Sequence, residues 1–293
     1  MLKKTIFVGI GAFFAINLWA DFTADFQAAV KLYNEQKNTE AQVSFAKLAE
    51  VAPSPKEKAE SMAYAALCLN RQKKYDDAIG LANKIEIKPV SINCRMDIMF
   101  ENNRSKELVD AFKNEDISAW PDYCIHNGYY KRGMAYRSCG DAANAAKDLE
   151  KAVESAKTDE RKMISLSDLG DVCRTLKDDQ KALDAYQKAS AMSGWKGFYA
   201  HYNAVINGAD ILSRQGKYDE ALAELQKIDL PKAEGYWKFQ SLKAYGSFYE
   251  LQDKKDEALA KYKEALGVEK LSEKVPAVFV VELNKKISAL ENK

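Results

Sequence analysis

Cys124 and His126 are the nearest pairing of a thiol with an imidazole in the chain. A histidine beside a cysteine can take up the thiol proton and leave a nucleophile. Two residues apart on a helix, however, they point to different sides, so a structural histidine near a helix start is the better assignment. The other histidine, His201, is remote in sequence, and the two lack metal-ligand spacing. No phosphate-binding glycine loop, nucleophile elbow or paired-carboxylate motif occurs. These residues predict no catalysis, no metal and no cofactor.

Five cysteines leave at least one thiol unpaired. Cys139 and Cys173 fall near the ends of equivalent helices, offset by three residues in phase, or about 4.5 Å of helix rise. Cys68 and Cys94 are offset by four. A disulfide needs Cα atoms within ~7 Å. Cys173 sits at a core position, so a buried free thiol is the favoured reading for it; at most one bridge is expected, with Cys139–Cys173 the leading candidate. Asn103-Arg104-Ser105 is a lone glycosylation sequon.

What positions these groups is a repeat. Ala29, Ala66, Met96, Gly133, Gly170, Ala209 and Gly246 recur at intervals of 37, 30, 37, 37, 39 and 37 residues. Twelve residues after each stand Ala41, Ala78, Leu108, Ala145, Ala182, Ala221 and Ala258. A period in this range marks stacked helical hairpins. In the clearest unit, Tyr129, Arg132, Gly133 and Tyr136 fall at helical spacing, Gly140-Asp141 ends the helix, and Ala145, Leu149 and Ala152 give a second helix one apolar stripe. The small residues predict close approach of two antiparallel helices. Met96 and Leu108 break that pattern, so splayed helices and a change of pitch are expected at the third repeat. All six prolines, at 53, 55, 89, 121, 231 and 276, fall at junctions between repeats or before the last helix. Ser54-Pro55-Lys56-Glu57 has the form of a capping box.

Residues 1–20 read as a secretory signal peptide: Lys3 and Lys4, an apolar run from Thr5 to Ile16, then Leu18-Trp19-Ala20. The run is shorter than the about 20 residues that span a bilayer, so no stable membrane insertion is expected after cleavage. An uncleaved anchor is the competing expectation. The remaining chain has 42 basic and 43 acidic residues, since Lys3 and Lys4 leave the 44 bases. Interspersed, balanced charge argues against a nucleic-acid surface, which needs a basic stripe.

Gly216-Lys217-Tyr218-Asp219-Glu220-Ala221-Leu222 and Lys74-Tyr75-Asp76-Asp77-Ala78-Ile79 resemble the turn and second-helix start of the tetratricopeptide repeat. The resemblance runs over roughly residues 22–268. It implies an all-α, right-handed α-solenoid of about seven hairpins over 21–268. Residues 269–293 supply a C-terminal capping helix and tail. In that helix Val278, Val281, Leu283, Ile287 and Leu290 fall broadly on one side. Its role is to cover the open end of the stack; docking of a second copy to form a homodimer is the alternative.

In arrays of this family the first helix of each pair lines a concave groove. By phase, the resemblance nominates Tyr64, Asn70 and Arg71, then Asn93, Asp97 and Phe100, then Asn127, Tyr130, Lys131 and Arg137. It continues with Asp171 and Arg174, with Asn203, Asn207, Asp210 and Arg214, and with Lys243 and Glu250. Asparagine both donates and accepts, and arginine holds a carboxylate through two bonds. The competing reading is structural: Asp97, Asp171 and Asp210 pair with Arg137, Arg174 and Arg214 in neighbouring repeats. The family's ordered Lys-Asn-Asn-Lys-Arg clamp for a C-terminal carboxylate is missing. The expected function is a non-catalytic scaffold for a protein or peptide, exported to a periplasm, cell envelope or medium. The alternatives are a cell-envelope assembly accessory factor, or a carbohydrate- or small-ligand-binding protein or enzyme using the tyrosine-rich groove.

Overall fold

The structure, a computed structural model, describes residues 9–192, 194 and 197–292, with side chains from residue 21. Among these residues every regular element is a helix. Seven helix–turn–helix pairs follow in order: α1 (Gly9–Asn34) and α2 (Asn38–Val51), α3 (Pro55–Arg71) and α4 (Tyr75–Asn83), α5 (Lys88–Glu101) and α6 (Ser105–Phe112), α7 (Asp122–Ser138) and α8 (Ala142–Ser155). Then come α9 (Asp159–Thr175) and α10 (Asp179–Ser190), α11 (Tyr199–Arg214) and α12 (Tyr218–Leu225), α13 (Gly235–Glu250) and α14 (Lys255–Leu266). A one-turn α15 (Leu271–Lys274) and a final α16 (Ala277–Glu291) follow. The signal-peptide expectation, residues 1–20, lies largely outside the described side chains; the α1 backbone is helical from Gly9 onward. No described helix is long and apolar enough to cross a membrane.

The chain divides into two compact units, Met1–Cys139 and Gly140–Lys293. In the first, α2 packs between α1 and α3, and the first helices α3, α5 and α7 neighbour one another in turn. In the second, α9, α11 and α13 form the corresponding row, with α10 and α12 packed between them. Each pair turns at one residue in left-handed backbone: Gln36, Lys73, Asn103, Gly140, Lys177, Gly216 and Asp253, with φ between 57° and 81°. Each stands seven residues after the small position of its repeat. In six of the turns the next N–H reaches back five residues, as Lys74 N to Leu69 O and Asp178 N to Cys173 O, both 3.0 Å. That bond closes the helix end and satisfies carbonyls that would otherwise have no partner. Only two of the seven are glycine, although left-handed backbone costs other residues about 1–2 kcal/mol.

The small first-helix positions have a reason that spacing did not show. A Cβ on Gly170 would lie 2.4 Å from the Tyr186 ring, and one on Gly246 would lie 2.2 Å from Tyr262. In both pairs the glycine makes room for a tyrosine of the second helix, sixteen residues on, rather than for a second backbone. Both tyrosines are fully buried. The seven positions from Ala41 to Ala258 are likewise fully buried. In the third pair Met96 and Leu108 are buried as completely, in one cluster with Phe112 and Trp120, so the misfit is filled with side chains and not left as a gap. Pro55 stands in the first turn of α3, and the Ser54 hydroxyl accepts from Lys56 N at 3.2 Å.

All five cysteines are free thiols: Cys173 is buried and free as favoured, Cys68, Cys94 and Cys124 are buried, Cys139 is exposed, and the candidate Cys139–Cys173 bridge is not formed. Burial pushes the Cys68 and Cys124 thiols up to about 11. On α16, Leu283, Ile287 and Leu290 pack on Phe239, Leu242 and Tyr262, covering the end of the second unit. Val278 and Val281 do not share that side: they are 57% and 51% exposed, and Phe279 and Val280 pack in their place. A turn of 3.6 residues carries 278 and 281 away from the stripe that 283, 287 and 290 define.

Candidate partner-binding face

In the first unit the nominated residues divide by what holds them. Tyr64 is half-buried in an aromatic cluster, stacked on Phe45 at 4.8 Å and edge-on to Tyr33 and Phe26. Asn70 is buried: its amide donates to Glu101 at 2.8 Å and its oxygen accepts from Asn102 at 2.7 Å. Tyr64 and Asn70 are thus built into the packing and are not open groove contacts. Arg71 is exposed, lies 3.6 Å over the Tyr33 ring and donates to the Tyr33 carbonyl at 3.0 Å. Asn93 is half-buried, and its amide oxygen has no hydrogen-bond partner.

Asp97 pairs with Lys131 of the next first helix, and the lysine also stands over Phe100 at 5.6 Å. Their side chains are only 18% and 19% exposed. Burial pushes the Asp97 carboxyl up, and the Lys131 ammonium pulls it back. The structural reading proposed Arg137 as the partner of Asp97, and Lys131 takes that place. Asn127 and Tyr130 flank His126: the Asn127 oxygen lies 3.4 Å from its Nδ1, and the Tyr130 ring stacks on the imidazole at 5.9 Å. Arg137 is half-buried near the end of α7. Arg132, read from sequence only as part of the helical stripe, is buried and donates to the Phe112 and Glu115 carbonyls at 3.1 and 2.8 Å, closing the end of α6.

In the second unit the nominated residues meet in one network. The Tyr186 hydroxyl donates to Asp171 at 2.6 Å, and Asn203 donates to Asp171 and to Ser167. Asn207 donates to Asn203 at 2.8 Å and accepts from Arg174 at 2.6 Å. Arg174 also reaches Asp210 at 3.0 Å, and Arg214 closes on Asp210 from within its own helix. Desolvation and the Asp171 carboxylate both raise the Tyr186 phenol. Farther along, Glu250 accepts from Tyr262 at 2.6 Å and from Lys286 of α16 at 2.8 Å. The cross-repeat pairing expected of Arg174 and Asp210 is thus present, as part of a larger lattice.

Between α11 and α13 this face holds a cavity of about 290 Å³. Asn207, Asp210, Gln240, Lys243 and Ser247 line its polar side, with Ile206, Leu225, Phe248 and Leu251 on its apolar side. Lys243 is half-buried, and burial lowers its ammonium pKa. Among the described residues no group of three or more His, Cys, Asp or Glu could hold a metal ion. Sequence reasoning missed the tyrosines that reach this face from the second helices, and it missed Lys131, Asn102 and Glu101 as partners. The signal was present as offsets: Asp97 to Lys131 spans 34 residues, Ser167 to Asn203 and Arg174 to Asp210 each 36. The two turn motifs share a related role. Tyr75 donates to Glu107 at 3.3 Å and Tyr218 to the Leu251 carbonyl at 2.8 Å, each on the following hairpin.

Residues 124–193 match the family model of the tetratricopeptide repeat. This stretch of the chain is tetratricopeptide repeat sequence. Among solved structures it is similar to the C-terminal part of a TPR repeat-containing protein from Cytophaga hutchinsonii, with 16% identity and a TM-score of 0.52, over 86% of this chain and 99% of that one. A tetratricopeptide repeat protein from Parabacteroides merdae matches over 92% of this chain and 98% of its own, with 12% identity and a TM-score of 0.48. YrrB, described as a TPR protein with an unusual peptide-binding site, matches over 77% and 92%, with 18% identity and a TM-score of 0.44. At these identities the likeness of this chain to the Cytophaga structure is one of fold. No curated protein sequence matches it.

Proposed function

We propose that the protein is a non-catalytic scaffold whose row of first helices binds an extended protein or peptide segment. One observation carries this reading: the cavity between α11 and α13 opens on a face of half-buried Asn, Gln, Asp, Arg and Lys side chains, with apolar residues at its floor. A peptide backbone needs donors and acceptors together, and its side chains need apolar seats between them. The repeat family supports the coarser statement, that the fold serves protein interaction. Photo-crosslinking residues placed at Tyr199 and Gln240, on first helices, should capture a partner segment. The same groups at Glu154 and Asp184, on second helices, should capture little. Equal capture at all four sites would remove the assignment of this face.

We also propose that the protein works outside the cytoplasm, after removal of residues 1–20. Amino-terminal sequencing of the protein from its native source should then begin at Asp21. A chain that retains Lys3 and Lys4 would refute it.

A further inference from the structure

We propose that the cavity between α11 and α13 is an anion subsite, in which Lys243 holds an internal Asp or Glu side chain of an extended peptide. This rests on the first helices being the peptide-binding face.

The case is one of charge subtraction. Asp210 is the acid that lines the cavity, and it is already shared by Arg174 and Arg214. Glu250, in the adjoining hollow, is held by Lys286 and the Tyr262 hydroxyl. Lys243 is left over. Among the described residues no carboxylate lies within ion-pair distance of its Nζ, which stands over the Phe279 ring at 5.6 Å. Glu282 attracts it and Lys286 repels it, both from beyond contact distance. A half-buried ammonium without a partner has lost hydration and gained no ion pair, so a carboxylate delivered from outside recovers more there than at an open surface. The surroundings suit that ligand. Gln240 lies one turn before Lys243 and Ser247 one turn after, and both line the same cavity with groups that donate. Ile206, Phe248 and Leu251 are apolar seats for the methylenes of an acidic side chain.

The position selects an internal acid rather than a chain end. The α9–α11 polar lattice continues the face on one side of the cavity, and α16 continues it on the other, with Phe279 and Lys286. A segment lying over Lys243 therefore has surface to follow in both directions.

The test is a selection from a random dodecapeptide library whose C-termini are fused to the display protein, so that no free carboxylate ends the peptide. Against the full chain, the selected peptides should share an Asp or Glu at a fixed position. Replacing that acid by its amide should weaken binding by about tenfold, as for loss of a charge-assisted bond. On Lys243→Gln the acid and amide peptides should bind alike, while Lys243→Arg keeps the preference. The amide comparison on the unaltered protein tests the subsite even if a variant fails to fold. Selected peptides with no fixed acid overturn this inference and leave the peptide-binding reading standing. A preference that survives in Lys243→Gln overturns the assignment to Lys243. No selected peptide at all overturns both.

Discussion

The fifth hairpin has Gly170 in its first helix and Tyr186 in its second; the third has Met96 and Phe112 at the same offsets. In the fifth, the missing side chain lets a tyrosine ring cross under α9, and its hydroxyl comes out on the first-helix face to bond Asp171. In the third, the volume is supplied from the first helix itself, and Phe112 carries no hydroxyl to send across. The acid on that helix, Asp97, instead takes a lysine from the next hairpin. The seventh pair follows the fifth, with Gly246, Tyr262 and Glu250. One small-to-large exchange between two buried positions therefore decides more than packing. It decides whether a first-helix carboxylate is reached by a hydroxyl of its own hairpin or is held by its neighbour alone.

Five substitutions would break or sharpen that contrast. Met96→Ala puts the residue of the first, second and sixth repeats into a site filled by methionine. It should cost about 3 kcal/mol, through lost burial and the cavity left behind. Urea unfolding would show it, and an unchanged midpoint would mean that the third hairpin closes as the others do. Lys131→Met leaves Asp97 without its cation and should cost about 2 kcal/mol, below a fully buried pair because both side chains keep some exposure. Since burial already holds the Asp97 pKa above its usual value, the folded state binds the extra proton. Stability lost in this variant should be regained in part as pH falls towards the carboxylate range, and a variant that loses still more on acidification would contradict the pairing.

Gly170→Ala gains helix propensity but drives a methyl into a ring that cannot retreat, so a net loss of about 1–2 kcal/mol is expected. Adding Tyr186→Leu to it should restore part of that loss; strict additivity of the two changes would sink the ring-crossing explanation. The smallest effect is a gain. Lys177→Gly relieves left-handed backbone and should stabilise by about 0.5–1 kcal/mol. Glycine already occupies this site in the fourth and sixth turns, at Gly140 and Gly216.

The seven hairpins were legible in the sequence because Ala41, Ala78, Ala145 and their equivalents repeat in phase, and each is fully buried. The turns were half legible: Gly140 and Gly216 announce a left-handed residue, whereas Gln36, Lys73 and Lys177 adopt one only because the closing hydrogen bonds hold it there. The face was legible by phase alone. Phase placed Asp171, Arg174, Asn207 and Asp210 on one side of their helices. It could not say that Tyr64 and Asn70 face inward there, because a half-turn of drift separates a packed residue from an open one. The crossing tyrosines were hidden for a different reason: a glycine and a ring sixteen residues apart belong to different helices, and single-helix periodicity never compares them.

A ring that runs from one helix through the other has a mechanical consequence. Tyr186 is confined beside Gly170 and tied at its tip to Asp171, so it acts as a pin set across the α9–α10 interface. Sliding α10 lengthwise along α9 would have to shear the hydroxyl from the carboxylate while the ring is still wedged. Pulling the two helices straight apart meets no such obstacle. Under load, the fifth and seventh hairpins should therefore yield by peeling, and hairpins with Phe45, Phe112 or Leu225 at the same place should be free to slip.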